Sequence, residues 1–116
     1  MKLTKSLTLI ALLLSALFLT ACSKPDSAAL NSFASCLTEK GAKMYGAYWC
    51  GHCQNQKKIF GSSFANVDYI ECTEETQRCD DERITGYPTW KFLDGSSLNG
   101  VQTLASLAQK TGCLLN

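Results

Sequence analysis

Hydrophobic positions change their spacing several times along the chain, and each change predicts an element. Met1 to Ala21 carry Lys2 and Lys5 and then an uncharged apolar run, LTLIALLLSALFLTA. A polar stretch with one proline follows from Cys22 to about Asp26. In SAALNSFASCLTEKG, Leu30, Phe33, Ala34 and Leu37 recur at helical spacing, with Gly41 as a stop. AKMYGAYW is aromatic and apolar over the length of one buried strand. QNQKKIFG then reads as a helix ended by Gly61, and VDYIEC as a second strand. TEETQRCDDERITG is polar and predicts a turn and a short helix. TWKFL and SLNGV flank Asp94-Gly95-Ser96-Ser97 as a hairpin. In TLASLAQKTG, Leu104, Leu107 and Ala108 return to helical spacing.

The predicted order is helix, strand, helix, strand, helix, hairpin and closing helix. A strand–helix–strand unit implies a parallel pair, to which the hairpin adds antiparallel strands. The expected fold is therefore α/β, a mixed sheet of about four strands with helices on both faces.

The first segment is set apart by its layout of basic start, short apolar core and small residues at the end, which is that of a secretory signal. A confident membrane span needs about 20 predominantly apolar residues, and this run is shorter and broken by Thr and Ser. Leu19-Thr20-Ala21-Cys22 resembles the bacterial lipobox, in which the cysteine is acylated. The expected division is a signal peptide at 1–21, a tether at 22–29 and one domain at 30–116. Acyl chains on Cys22 would anchor the protein, since each buried methylene contributes about 0.8 kcal/mol. Ser23 stands where Asp would resemble an inner-membrane retention signal, so the outer membrane is favoured if there are two.

Charge excludes one class of partner. Without Lys2 and Lys5, nine of the eleven basic residues remain against ten acidic ones, which leaves no basic footprint for nucleic acid. Cysteine usage points to an oxidising compartment, the periplasm or cell surface. Seven cysteines is an odd count, and lipid on Cys22 would leave six. With Cys50 and Cys53 set aside, the other four allow three connectivities. Cys72–Cys79 is favoured because the two flank a short polar segment; Cys36–Cys113 would then tie the first helix to the end of the chain.

The chemistry centres on YWCGHCQNQ, residues 48–56. Cys50 falls where a buried strand meets a helix, and unpaired N–H groups and the dipole there stabilise a thiolate, the nucleophilic form. Cys53 lies one turn on and can resolve a mixed disulfide. His52, when protonated, adds positive charge beside Cys50, which stabilises the reduced form and makes the disulfide a stronger oxidant. The competing readings are a purely structural Cys50–Cys53 disulfide, which is rare at a helix start, and zinc, which usually needs two such pairs or a pair with spaced histidines. Here there is one histidine, and the gap between Cys72 and Cys79 is poor for a zinc knuckle. No metal and no cofactor is expected.

With strand, CGHC, helix, strand and Gly86-Tyr87-Pro88-Thr89 in order, the chain resembles the thioredoxin superfamily over about Gly41 to Gly112. The resemblance implies a cis Pro88 facing Cys50, with Tyr87 offering backbone groups to an extended substrate and Trp49 beside them. A narrower resemblance, carried by MYGAYWCGHCQNQKKIFG, YIEC, a second cysteine and ITGYPTW, is to the thioredoxin-like domain attached to bacterial homologues of vitamin K epoxide reductase. Paired Cys72 and Cys79 match that group. It implies exported cysteine-containing proteins as substrates and a vitamin K epoxide reductase-like membrane protein as electron acceptor. One departure stands out. Thioredoxin-type reductases resemble one another in a buried acid six residues before the first cysteine, and here that residue is Met44. Proton transfer at Cys53 would then use water, or an acid elsewhere such as Glu71. CGHC is itself similar to the pair of protein disulfide isomerase, whose potential is about −180 mV against about −270 mV for thioredoxin.

The expected function is oxidation or isomerisation of disulfides in exported proteins. The alternatives are a periplasmic disulfide reductase and, without turnover, a lipid-anchored metal- or protein-binding module.

Overall fold

Asp26 begins the first helix, its carboxylate accepting from Ala29 N at 2.7 Å, the usual role of an N-cap aspartate. The computed structural model describes residues 24–115, so the signal peptide and the lipidation site Cys22 lie outside the described residues. Helix α1, Ser27–Glu39, takes up residues 27–29 of the segment read as tether. It buries Leu30, Phe33, Ala34 and Leu37, the four apolar positions whose spacing predicts it.

Strand β1, Lys43–Gly46, is shorter than the apolar run around it. The backbone leaves the sheet at Ala47, whose carbonyl accepts from Cys50 N at 3.1 Å. Helix α2, Gly51–Phe60, ends at Gly61 and passes into a 3₁₀ turn, Gly61–Asn66. Strand β2, Asp68–Glu71, and helix α3, Thr76–Asp81, follow. Strands β3, Thr89–Lys91, and β4, Ser97–Asn99, form the hairpin. Helix α4, Leu104–Thr111, closes the chain, with Gly112 in the left-handed conformation at φ 76°, which a glycine adopts without a Cβ penalty.

The sheet order is β2-β1-β3-β4. Strands β1 and β2 run parallel, while β1–β3 and β3–β4 are antiparallel. Successive side chains of a strand point to opposite faces, and the core divides accordingly. On one face Met44 and Trp90, partners across β1 and β3, pack with Leu37 of α1, Phe60 of α2 and Leu107 of α4. On the other, Tyr45 and Ile70 pack with Cys72 and Cys79, so α3 covers that face. The α/β architecture with a four-stranded mixed sheet and helices on both faces is the one expected from the sequence. Among the described residues no helix is long and apolar enough to cross a membrane.

Two disulfides brace this frame. Cys36 of α1 joins Cys113 beyond α4, with Cα atoms 5.9 Å apart. Cys72 joins Cys79 of α3, with Cα atoms 5.7 Å apart. Bonded to each other, Cys72 and Cys79 do not complete a four-cysteine ligand set with Cys50 and Cys53.

Candidate functional site

Cys50 is the N-cap of α2, in extended conformation. Its Sγ accepts from Cys53 N at 3.1 Å, taking one of the helix N–H groups that has no partner in the first turn. Negative charge on this sulfur would thus meet a backbone donor and the positive end of the helix dipole. Cys50 and Cys53 are the free cysteines among the described residues. Cys50 is 6% exposed and Cys53 fully buried, so an incoming sulfur reaches the first of the pair and not the second.

Pro88 follows a cis peptide bond from Tyr87, and Tyr87 O stands 3.7 Å from Cys50 Sγ. The loop before β3 therefore lies against the redox pair, as the sequence resemblance implies. Trp49 is 63% exposed and meets the Tyr87 ring edge-on at 5.9 Å between centroids. Trp49, Cys50, His52, Thr85 and Tyr87 border one shallow groove, with exposed His52 at its rim. The predicted residues Trp49, Cys50, His52, Tyr87 and Pro88 thus come together around one sulfur. Cys53 lies behind it.

The surroundings of Cys53 were less legible in the sequence. Met44, in the position of the expected buried acid, is fully buried in the core and supplies no proton acceptor. Gly46 opens the space for the sulfur. A Cβ there would stand 3.0 Å from Cys53 Sγ, 3.0 Å from Tyr69 Cε2 and 3.2 Å from Tyr69 Oη. Tyr69 Oη donates to Glu71 Oε2 at 2.7 Å. Glu71 Oε1 accepts from Tyr48 N at 3.1 Å and from Thr73 Oγ1 at 2.8 Å. Lys57 Nζ sits over the Tyr69 ring, 4.1 Å from its centroid, a cation–π contact.

Burial, followed by the hydrogen bond with Cys50, pushes the Cys53 thiol up to about 12; the Ala47 backbone and the Lys57 charge act the other way. Burial and then the bond to Glu71 raise the Tyr69 phenol. For Glu71 burial acts upward, but the bonds from Tyr69, Thr73 and Tyr48 together hold its carboxyl below the usual range.

Gln56 also escaped the sequence reading. It lies on α2 and is fully buried. Its Oε1 accepts from Trp90 Nε1 at 3.2 Å and from Gln102 N at 2.7 Å, and its Nε2 donates to Gln102 O at 3.0 Å. These bonds pin the helix carrying the cysteines to β3 and to the segment before α4.

No family model matches the chain. Thiol-disulfide oxidoreductase LTO1 of Arabidopsis thaliana is 39% identical over 108 residues, covering 85% of this chain and 28% of that protein. The probable protein disulfide-isomerase ER-60 of Schistosoma mansoni is 30% identical over 102 residues, covering 76% of this chain and 21% of that protein. The chain therefore spans about a quarter of the length of these curated relatives. Among solved structures, thioredoxin NaTrxh from Nicotiana alata is 22% identical with a TM-score of 0.49, covering 60% of this chain and 67% of that one. The first thioredoxin domain of mouse protein disulfide-isomerase A4 is 26% identical with a TM-score of 0.45, covering 69% of this chain and 67% of that one.

Proposed function

We propose, from the premise that the chain is a thioredoxin-like domain, that it is an exported thiol–disulfide oxidoreductase acting on proteins through Cys50 and Cys53. The observation that carries this reading is the position of Cys50. Its sulfur caps α2, accepts the Cys53 N–H at 3.1 Å and faces the Tyr87 carbonyl at 3.7 Å. Cys50 thus borders the groove with a backbone N–H aimed at its sulfur, and its resolving partner is one turn behind.

A substrate sulfur engages Cys50 and forms a mixed disulfide, with the substrate backbone lying along Tyr87 and Trp49. Cys53 resolves that intermediate or, in the oxidising direction, leaves as substrate sulfur displaces it from the Cys50–Cys53 disulfide. His52 at the rim biases the equilibrium towards the dithiol, making the disulfide an oxidant. The relatives named thiol-disulfide oxidoreductase and protein disulfide-isomerase support the reaction class.

Oxidation or isomerisation of exported proteins is the favoured direction, with Cys22 anchoring the domain by lipid to a membrane. A vitamin K epoxide reductase-like membrane protein would accept the electrons. Support for these finer assignments lies in the lipobox-like segment, the CGHC pair and the YIEC and ITGYPTW segments.

The test is insulin reduction and refolding of reduced ribonuclease by the wild type beside Cys50→Ser. The wild type is expected to act and the variant to be inert; equal behaviour of the two overturns the enzyme reading. A measured potential near that of thioredoxin, about −270 mV, would instead assign the reducing direction.

A further inference from the structure

Cys53 must lose a proton before it can attack, yet it is fully buried and no acid occupies position 44. We propose that Tyr69 and Glu71 form the proton route between Cys53 and solvent, a relay built into strand β2 in place of a buried acid. The inference rests on the oxidoreductase reading above and concerns the resolving step of that reaction.

The geometry is set by the β1–β2 register. Met44 pairs with Tyr69 and Gly46 with Glu71, so Tyr69 and Glu71, two residues apart, project from the face of the sheet that also carries Met44 and receives Cys53. Gly46, lacking a side chain, lets Cys53 Sγ and Tyr69 Oη approach the same point, 3.0 and 3.2 Å from where its Cβ would be. Sulfur and hydroxyl thus border the same space beside Gly46 without a direct hydrogen bond, so the proton crosses between them through one water. Tyr69 spends its own proton on Glu71 Oε2, which leaves its oxygen lone pairs to accept from that water. Glu71 is half-buried at the strand end and passes the proton to solvent.

The charged and titratable groups around Cys53 are Cys50 at the N-cap of α2, Lys57 on α2, and Tyr69 and Glu71 on β2. Lys57, above the Tyr69 ring, favours negative charge on Cys53, and Glu71 is the carboxylate base among them. A neutral phenol with a high affinity for its proton suits the middle position, because it can hand one proton on only as it receives another.

In the mixed disulfide between substrate and Cys50, the Cys53 proton passes through one water to Tyr69 Oη as the Tyr69 proton passes to the Glu71 carboxylate. Cys53 Sγ forms a bond to Cys50 Sγ, and the bond between Cys50 Sγ and the substrate sulfur breaks. The substrate sulfur leaves with the electron pair as thiolate and takes a proton from water. Cys50 and Cys53 are oxidised together by two electrons, and the substrate disulfide is reduced by the same two. In the oxidising direction Cys53 departs as thiolate and regains its proton along the same route.

The reaction with 5,5′-dithiobis(2-nitrobenzoate), followed by stopped flow from pH 6 to pH 9, separates the steps. The first thionitrobenzoate reports attack by Cys50, and the second reports resolution by Cys53. Tyr69→Phe is expected to slow the second release about tenfold near pH 6 to 7, a modest share of what general acid–base catalysis supplies. The deficit should shrink towards pH 9, where hydroxide takes the proton without the relay. Glu71→Gln keeps an acceptor oxygen for Tyr48 and Thr73 but cannot take a proton at the carboxylate, so the same pH-dependent deficit is expected. Unchanged rates in both variants, or a loss of constant size at every pH, overturn the relay and leave the function standing. A wild type that never releases the second thionitrobenzoate overturns the function itself, and the relay with it.

Discussion

A Cβ placed on Gly46 would stand 3.0 Å from the sulfur of Cys53. Two neighbouring elements meet at this contact, the end of β1 and the first turn of α2, and only a hydrogen side chain leaves room between them. Gly46→Ala is expected to cost about 1–3 kcal/mol, the usual range for overpacking a filled interior. Urea denaturation of wild type and variant, both reduced, checks this; a midpoint unchanged within error would mean that the neighbourhood of Cys53 yields easily.

Gln56 gives a second prediction. It satisfies the Trp90 indole N–H and the Gln102 backbone N–H and carbonyl at once. Gln56→Ala orphans these groups, and each buried group left without a partner costs about 1–3 kcal/mol. Loss of at least 2 kcal/mol in urea is expected, together with a changed Trp90 emission spectrum. Gln56→Glu should retain more stability than the alanine variant at acidic pH, where the neutral carboxyl can accept from Trp90 and Gln102 N and donate to Gln102 O. It should lose that advantage as rising pH buries a charge.

The two disulfides should differ in their contribution. Cys36–Cys113 closes 77 residues of sequence and Cys72–Cys79 closes 7. Loop-closure entropy then assigns about 4.5 kcal/mol to the first and about 2.4 kcal/mol to the second. Paired Cys→Ser variants compared by thermal unfolding should show the larger loss for Cys36 and Cys113. The reverse order would mean that the local loop around α3 stores more stability than its length implies.

Stability should also respond to acid through Glu71. Its folded carboxyl titrates below the usual range, so the group stabilises the fold above its unfolded pKa, near 4.3. That contribution disappears as pH falls through the lower, folded value. The stability difference between wild type and Glu71→Gln should therefore be constant at neutral pH and narrow below about pH 4.3. Denaturation midpoints from pH 7 to pH 3 check the trend; a difference that widens with acid would reverse the assigned shift.

Much of this was legible in the sequence, for reasons that are local. Leu30, Phe33, Ala34 and Leu37 carry their helix in their spacing, CGHC follows directly on a buried strand, and Asp94-Gly95 marks the hairpin. Strand ends were less legible. AKMYGAYW carries no charge after Lys43, but the turn closed between Ala47 and Cys50 ends pairing at Gly46. GSSFAN reads as loop, although its Phe64 packs edge-on against Tyr69 at 5.5 Å. The environment of Cys53 depends on register: Tyr69 borders the space at Gly46 that the sulfur also borders only because it pairs with Met44 across β1 and β2. Gln56 looks like a solvated helix position in QNQKK, because its partner Gln102 is 46 residues away.

The central claim, that Cys50 is the sulfur exchanged with substrate, is tested most directly by trapping. Cys53→Ala is incubated with a disulfide-bonded peptide and the non-reduced product is mapped by mass spectrometry. The account predicts a stable one-to-one adduct joined at Cys50, absent from the Cys50→Ser/Cys53→Ala double variant. No adduct, or an adduct joined at any other cysteine, would contradict it.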